Sequence, residues 1–468
     1  MKNLNLILTI TLSAVTTVAA NAQQRPVVQT KFTADPAPIV VNDRVYLFTS
    51  HDADDTPEGN ANFKMEDWLL YSSSDLVNWQ EYGSVADLTA FEWLTEEEQK
   101  NGAWAIQVIE RNGKYYMYAP IHLHGIGVLV SDSLYGPWTD PLGKPLVDFQ
   151  YDSIDPTVLI DDDGSAYLYW GNPNLWYAKL NDDMVSFEGE PIKDATIRTD
   201  SPEAEEFGYQ EGPWAYKREG KYYMAYASTC CPEGIGWAWS DKPFDNWEYG
   251  GEIMAHDRRS NGNHPGIFDF KGKSYCFGFN YYLNWKITDK HHERRSVCLM
   301  ELHFNDDGSI EQCPFWDDAE PIAPVATFCP YGRVEAETMA WSEGVKSRCE
   351  KAGIEKPKAW QDPCIYLTDI DDGDYIVIRN ADFGDKDMKL IRVRLRRGAG
   401  EIEVRLDSTD GETVATLAFD DIADDWVTLE TDCSALKGIH DLVFVFHGGG
   451  YEIDWWEGCE ETDLNIDK

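Results

Sequence analysis

The chain has 468 residues, too long for one ordinary domain, and 13% of them are aromatic, including 18 Trp and 24 Tyr. Acidic residues outnumber basic ones 83 to 40, giving a formal net charge of −43. That balance excludes nucleic acid as a partner, because phosphate binding needs a basic face, and it disfavours polyanionic substrates while leaving neutral ones open.

The N-terminus reads as an export signal over residues 1–22. Lys2 supplies the positive end, Leu6 to Val18 the apolar stretch, and Ala20-Asn21-Ala22 an A-x-A cleavage site. The stretch is too short and too rich in Thr to span a membrane, and no cysteine follows it to take a lipid anchor. The mature protein is therefore expected to be exported, either periplasmic or secreted, with no membrane span. Ten cysteines permit disulfides without fixing their connectivity, and the adjacent Cys230 and Cys231 are poorly placed to bridge each other. The absence of CxxC pairs and of HExxH removes support for a zinc site.

One unit then recurs: a polar or aromatic lead beside Pro or Gly, a short apolar strand, a turn, and an aromatic strand. It appears as "ADPAPIVVNDRVYLFTS", "AWAIQVIERNGKYYMYAP", "IDPTVLIDDDGSAYLYWG", "QEGPWAYKREGKYYMAYAS" and "NHPGIFDFKGKSYCFGFN". Asn112-Gly113, Asp163-Gly164, Glu219-Gly220 and Lys271-Gly272 are hairpin signals between β-type runs. The leads Asp35, Trp104, Asp155, Glu211 and His264 fall at the spacing of propeller blades, roughly 50–70 residues. Five four-stranded units over residues 30–322 predict a five-bladed β-propeller, whose innermost strands aim their leads at one central channel. Around "EPIAPVATFCP" the pattern stops in a linker. Alternating strands over 331–460 then predict a β-sandwich of jelly-roll type, so the fold class is all-β.

Asp35, Asp155 and Glu211 head three units at what read as equivalent positions. Three carboxylates without a nucleophilic Ser-His pair point to acid–base hydrolysis, in which one carboxylate activates water and a protonated one assists the leaving oxygen. An Asp before Pro also caps turns, and that is the structural alternative for any one of them alone.

The stretches "KFTADPAPIVVNDRVYLFTSHDADD", "DWLLYSSSDLVNW", "SIDPTVLIDDDGSAYLYWG", "YQEGPWAYKREGKYYMAYAS" and "NHPGIFDFKGKSYCFGFN" resemble glycoside hydrolase family 43 over about residues 30–320. The resemblance implies a five-bladed propeller that hydrolyses glycosidic bonds with inversion. It makes Asp35 the general base, Asp155 the pKa modulator and Glu211 the general acid. It likens His264 to a channel histidine associated with a hydrated calcium ion, and Arg295 in "RRSV" to the arginine that holds the bound sugar. Trp104 and Trp214 are candidates for pocket walls and equally for blade packing. "HHERRSVCLMEL" is most similar to arabinoxylan arabinofuranohydrolases, which implies release of α-L-arabinofuranosyl side chains from arabinoxylan; β-xylosidases share the carboxylates and are the alternative. A glycan-binding propeller without catalysis ranks below both.

"GRVEAETMAW" and "YEIDWWEG" resemble a family 6 carbohydrate-binding module. That resemblance implies a structural calcium held by Glu335, Glu337 and Asp454, suitable hard ligands for it. Trp426 would be one face of the module's sugar cleft. The second aromatic position reads Asp369 and the usual asparagine position reads Glu452, so this module is expected to brace the propeller or complete its groove.

Overall fold

The computed structural model describes residues 26–197, 207–229, 232–259 and 263–460. The segment 1–22, read from the sequence as an export signal, and the Cys230-Cys231 pair lie outside the described residues. Tight hairpins organise the first domain. In four units the innermost pair of strands is joined by two residues that both take positive φ: Asn42 and Asp43, Asn112 and Gly113, Glu219 and Gly220, Lys271 and Gly272. Two consecutive positive φ values match the right-handed twist of the flanking strands.

These hairpins build five radial sheets. Blade I contains β1 (Phe32–Val41), β2 (Arg44–Asp52), β3 (Met65–Ser73) and β4 (Gln80–Asp87); blade II contains β5 (Gln107–Arg111), β6 (Lys114–Ile121) and β7 (Gly125–Ser131). Blade III has β8 (Thr157–Ile160), β9 (Ala166–Trp170), β10 (Trp176–Leu180) and β11 (Phe187–Lys193). Blade IV has β12 (Tyr209–Arg218), β13 (Lys221–Ser228), β14 (Gly234–Ser240) and β15 (Glu248–Met254). Blade V has β16 (Gly266–Phe270), β17 (Lys273–Asn280) and β18 (Ser296–Leu302), with helix α1 (Tyr282–Ile287) between the last two.

The sequence predicts four strands in each unit, and blades II and V depart from that. In blade II the fourth strand shrinks to two isolated bridges, Val130 with Thr139 and Ile126 with Val147; beside the first, Pro137 has no N–H to give a ladder and Trp138 turns into the core. In blade V the free edge of β18 receives the chain ahead of and into β1: Val27 N–H donates to the Val297 carbonyl (2.8 Å) and Thr33 N–H to that of Arg295 (2.9 Å). The N-terminal segment thereby closes the ring. Most of the aromatic content is packing, with Trp68, Trp170, Trp316, Tyr118, Tyr169 and Tyr226 almost wholly buried.

The second domain is one nine-stranded sheet curled on itself in the manner of a sandwich. Its members are β19 (Gly332–Glu335), β20 (Trp341–Glu343), β21 (Lys346–Glu350), β22 (Cys364–Thr368), β23 (Tyr375–Arg396), β24 (Ala399–Leu406), β25 (Thr413–Phe419), β26 (Val427–Gly449) and β27 (Glu452–Glu460). The two long strands, β23 and β26, pair through four register shifts, and such bulges bend a strand enough for one sheet to wrap its own core. Inside lie Leu367, Ile391, Leu395, Phe444, Phe446 and Trp456.

The domains are joined by main chain as well as side chains. Trp79 and Met339 exchange two backbone hydrogen bonds (2.9 and 3.1 Å), and Asn78 both donates to and accepts from the backbone of Arg379 (2.9 Å each). Cys276, Cys313, Cys329, Cys349, Cys364 and Cys433 carry free thiols. Among the described residues, no helix is long and apolar enough to cross a membrane.

Candidate active site

In four blades a proline follows at or just after the channel-lining lead: Pro36, Pro156, Pro213 and Pro265. The residue before proline is disfavoured in the right-handed helical region. In three blades it takes left-handed φ instead, +50° at Asp35, +53° at Asp155 and +55° at Gly212. Asp tolerates this conformation better than most residues. In β1 it coincides with a register shift between Ala34 and Ala37.

The structure corrects one detail of the repeat. Asp35, Asp155 and His264 occupy the slot directly before proline, but in blade IV that slot is Gly212, and Glu211 stands one residue earlier. The reason is space. A Cβ on Gly212 would lie 2.7 Å from Cδ2 of His264, so only glycine lets the imidazole approach. The N–H of Gly212 donates to Asp155 Oδ2 (3.0 Å), which ties the two blades together at the channel.

His264 is the hub. Its Nδ1 lies 3.4 Å from Asp35 Oδ1, and its Nε2 lies 3.6 Å from Glu211 Oε1 and 3.8 Å from Asp155 Oδ2. Burial works against a charge on this ring, but Asp155, Asp35 and Glu211 outweigh it and push its pKa up to about 10. Burial likewise pushes Asp155 up to about 7; His264 opposes that shift, while Glu211 and Asp35 add to it. The side chains of Asp35 and Asp155 are each 3% exposed and that of Glu211 20%, so Glu211 alone of the three opens toward solvent.

These groups lie in a cavity of about 840 Å³, whose walls include Phe63, Trp104, His122, Tyr151, Tyr281 and Glu293. Trp104 stacks on His122 with ring centroids 3.9 Å apart. Trp214 is not brought to this cavity. It is buried in the propeller core, its Nε1–H donates to the Ile267 carbonyl (2.9 Å), and it borders the narrow bore beneath. Of the two alternatives open for Trp214, the structure places it in blade packing.

Arg295 lines the cavity and is buried. Its Nη1 donates to Asp35 Oδ1 (2.8 Å), while Nη2 and Nε grip both oxygens of Asp52 (2.8 and 2.9 Å). Phe63 and Phe279 lie against the guanidinium at 4.9 and 5.1 Å. Asp52 was not singled out from the sequence, nor was Asn172, whose Nδ2 donates to Glu211 Oε2. Asp52 stands in "SHDADD", but its partner lies 243 residues away and no local pattern announces the pair.

Two clusters among the described residues bring three metal-type donors within 4.8 Å of one another: Asp155, Glu211 and His264, and on the module Glu401, Glu403 and His447. Glu335, Glu337 and Asp454 form neither. Glu335 pairs with Arg333 (2.7 Å), and Asp454 accepts from Arg394. Glu337 is buried, its Oε2 has no hydrogen-bond partner, and burial together with Glu335, Glu81 and Asp454 drives its pKa well up.

On the module the aromatic partner of Trp426 is Tyr366, with centroids 5.7 Å apart. Asp369 instead points outward to Arg348 (3.3 Å). The guanidinium of Arg396 lies over both rings, 4.8 Å from Tyr366 and 4.3 Å from Trp426. Glu452 (2.5 Å) and both oxygens of Glu350 (2.8 and 3.0 Å) hold it there. The module's own arginine thus covers the faces that a sugar ring would use.

Comparison with known proteins agrees with this geometry. The profile of Glycosyl hydrolases family 43 matches residues 23–310, and that of the Carbohydrate binding module (family 6) matches residues 335–457. An arabinoxylan arabinofuranohydrolase of Bacillus subtilis is 30% identical over 94% of this chain and 94% of its own length. A xylosidase/arabinosidase of Bacteroides ovatus is 30% identical over 62% of this chain and 97% of its own. The crystal structure of a family 43 arabinoxylan arabinofuranohydrolase from Bacillus subtilis in complex with cellotetraose superposes with a TM-score of 0.76 at 28% identity, covering 95% of this chain and 99% of that one. With a family match over more than half its length and a relative alike from end to end, the protein belongs to the glycosyl hydrolases of family 43.

Proposed function

We propose that this glycoside hydrolase is exo-acting and inverting, and that it releases α-L-arabinofuranosyl side chains from arabinoxylan or its oligosaccharides. The observation that carries the reading is the convergence of Asp35, Asp155 and Glu211 on His264 at the base of one cavity. Inversion requires a base and an acid about 6.5–9.5 Å apart, with room for a water between. Asp35 lies 3.4 Å from Nδ1 and Glu211 3.6 Å from Nε2 of the same imidazole, so two separate carboxylates face one cavity, as a base-and-acid pair needs.

In this mechanism Asp35 takes the proton of the attacking water, with Arg295 fixing the carboxylate's orientation through Nη1. Glu211, the more open of the two, protonates the departing glycosidic oxygen. Asp155 acts on Glu211 through charge and through its bond to the Gly212 N–H. His264 balances the three carboxylates. The end-to-end likeness to an arabinoxylan arabinofuranohydrolase favours arabinose over xylose as the released sugar.

Proton NMR during digestion tests this. Wheat arabinoxylan should yield arabinose, first with inverted anomeric configuration, and linear xylo-oligosaccharides should yield little. Xylose from the latter would make the protein a β-xylosidase and leave the carboxylate roles intact.

The export signal over 1–22 supports a mature protein that is periplasmic or secreted. For calcium, the buried carboxylate oxygen of Glu337 without a partner, beside Glu335 and Asp454, fits a hard cation that would tie the turn after β19 to β27. The Asp155–Glu211–His264 donors fit a hydrated cation in the channel, in competition with the charge His264 itself carries. Chelation should lower the melting temperature of the wild-type chain. A Glu337→Gln variant should start lower and respond less to chelator; equal responses would remove Glu337 from the calcium site.

A further inference from the structure

Every one of the 18 tryptophans is among the described residues, and two are exposed, Trp285 and Trp360, each at 47%. Trp360 has a packing role across the domains, since a Cβ on Gly136 of the propeller would come within 3.0 Å of its Cδ1. Trp285 belongs to none of the buried clusters. It projects from α1, its ring 5.9 Å from that of His291, which is 4.9 Å from Tyr281 in the cavity wall. It therefore stands about two rings outside the catalytic cavity, on its rim.

The segment that carries it is held at both ends. Asn284 Nδ2 donates to the Lys290 carbonyl (3.0 Å), the His291 carbonyl accepts from Gly59 N–H (2.8 Å), and the Tyr281 hydroxyl donates to Glu293 (2.6 Å). A large aromatic on a fixed mount loses little entropy when it binds a ligand. Nearby cations are neutralised, Lys286 by Glu343 (2.5 Å) and Lys290 by Glu58 (2.8 Å), so the surroundings favour an uncharged partner. An enzyme that draws one side-chain sugar into a cavity leaves the neutral main chain outside, across the rim. The C–H face of a pyranose ring suits stacking on indole.

We propose that Trp285 is the platform on which the polysaccharide main chain stacks while its side chain enters the cavity. The proposal rests on the side-chain-releasing reading above. It makes Trp285 a specificity-determining residue for polymer over small substrate.

The test uses the full chain with Trp285→Ala and Trp285→Phe, checked for an unchanged melting temperature. Specificity constants are measured on arabinoxylan and on 4-nitrophenyl α-L-arabinofuranoside. In Trp285→Ala the polymer-to-aryl ratio should fall about tenfold, the scale of one lost aromatic contact, mainly through KM on the polymer. Trp285→Phe should recover most of it. An unchanged ratio overturns the proposal. Affinity electrophoresis in arabinoxylan gels needs no turnover: the wild type should be retarded and Trp285→Ala less so. Equal mobility of the two, or a wild type that is not retarded, also overturns it. Retardation that depends on Trp285 in a protein inactive on both substrates would keep the platform and discard the arabinofuranosidase reading.

Discussion

Glu211 and Asp35 differ in the way their proposed roles require. Asp35 lines the cavity as a nearly buried carboxylate held by Arg295, whereas Glu211 is more open and has its carboxylate braced by Asn172. Glu211→Gln removes only the proton that a poor leaving group needs. Hydrolysis of arabinoxylan should fall by about 100-fold or more, while an aryl arabinofuranoside with an acidic phenol should lose far less. Steady-state kinetics on the two substrates checks this, and equal losses would argue against Glu211 as the acid. The carboxylates are legible in the sequence because each stands within two residues of a proline at the head of a repeated unit. The offset between Glu211 and its neighbours is not, because it depends on how close His264 comes to Gly212 in space. Asp52 was hidden for a similar reason, since its bond to Arg295 forms only when the ring closes.

At the scale of elements, hairpins were the clearest signal. Asn-Gly and Glu-Gly pairs between β-type runs mark turns whose two positive φ values the structure contains. The reduced fourth strand of blade II and the missing one of blade V could not be read, because a strand's pairing depends on what lies beside its edge. On neighbouring strands β2 and β3, His51 Nδ1 lies 2.7 Å from Asp67 Oδ1. Burial opposes the charge on His51, yet Asp67 raises its pKa above 6.5. Burial likewise opposes ionisation of Asp67, but His51 draws its pKa from 3.8 down to about 2. The raised histidine stabilises the fold fully below pH 6.5, and its contribution is lost as pH rises through the folded value. The lowered aspartate stabilises above pH 3.8, and its contribution is lost as pH falls toward about 2. The melting-temperature gap between wild type and His51→Gln should therefore be widest between these limits, at about pH 4–6, and narrow on the alkaline side. A gap that is constant with pH would show the pair is not ionic.

For the whole molecule, the question is whether the module is a tethered passenger or part of one folding unit. Arg396, fixed between Glu350 and Glu452 over Tyr366 and Trp426, leaves the module's aromatic faces covered. The module's contribution then lies in its contact with the propeller. That contact has a buried polar centre: Lys31 Nζ donates to Glu81 Oε1 (2.7 Å) and to the Ser347 hydroxyl (2.5 Å), and that hydroxyl donates to Glu81 Oε2 (2.7 Å). The linker adds to it, with Val325 N–H donating to the Asp75 carbonyl (3.0 Å) and its side chain packing against the buried cluster that contains Leu76 and Trp79. Such a contact should couple the two domains, and calorimetry of the full chain should show one main transition. Glu81→Gln removes the countercharge of Lys31, whose partly exposed side chain lines a cleft of about 850 Å³ together with Glu81 and Ser347, at a cost of about 2 kcal/mol. If the domains are coupled, that loss should move the whole transition down. If instead the propeller peak stays in place and a separate module peak moves, the two domains fold independently and the module is a passenger.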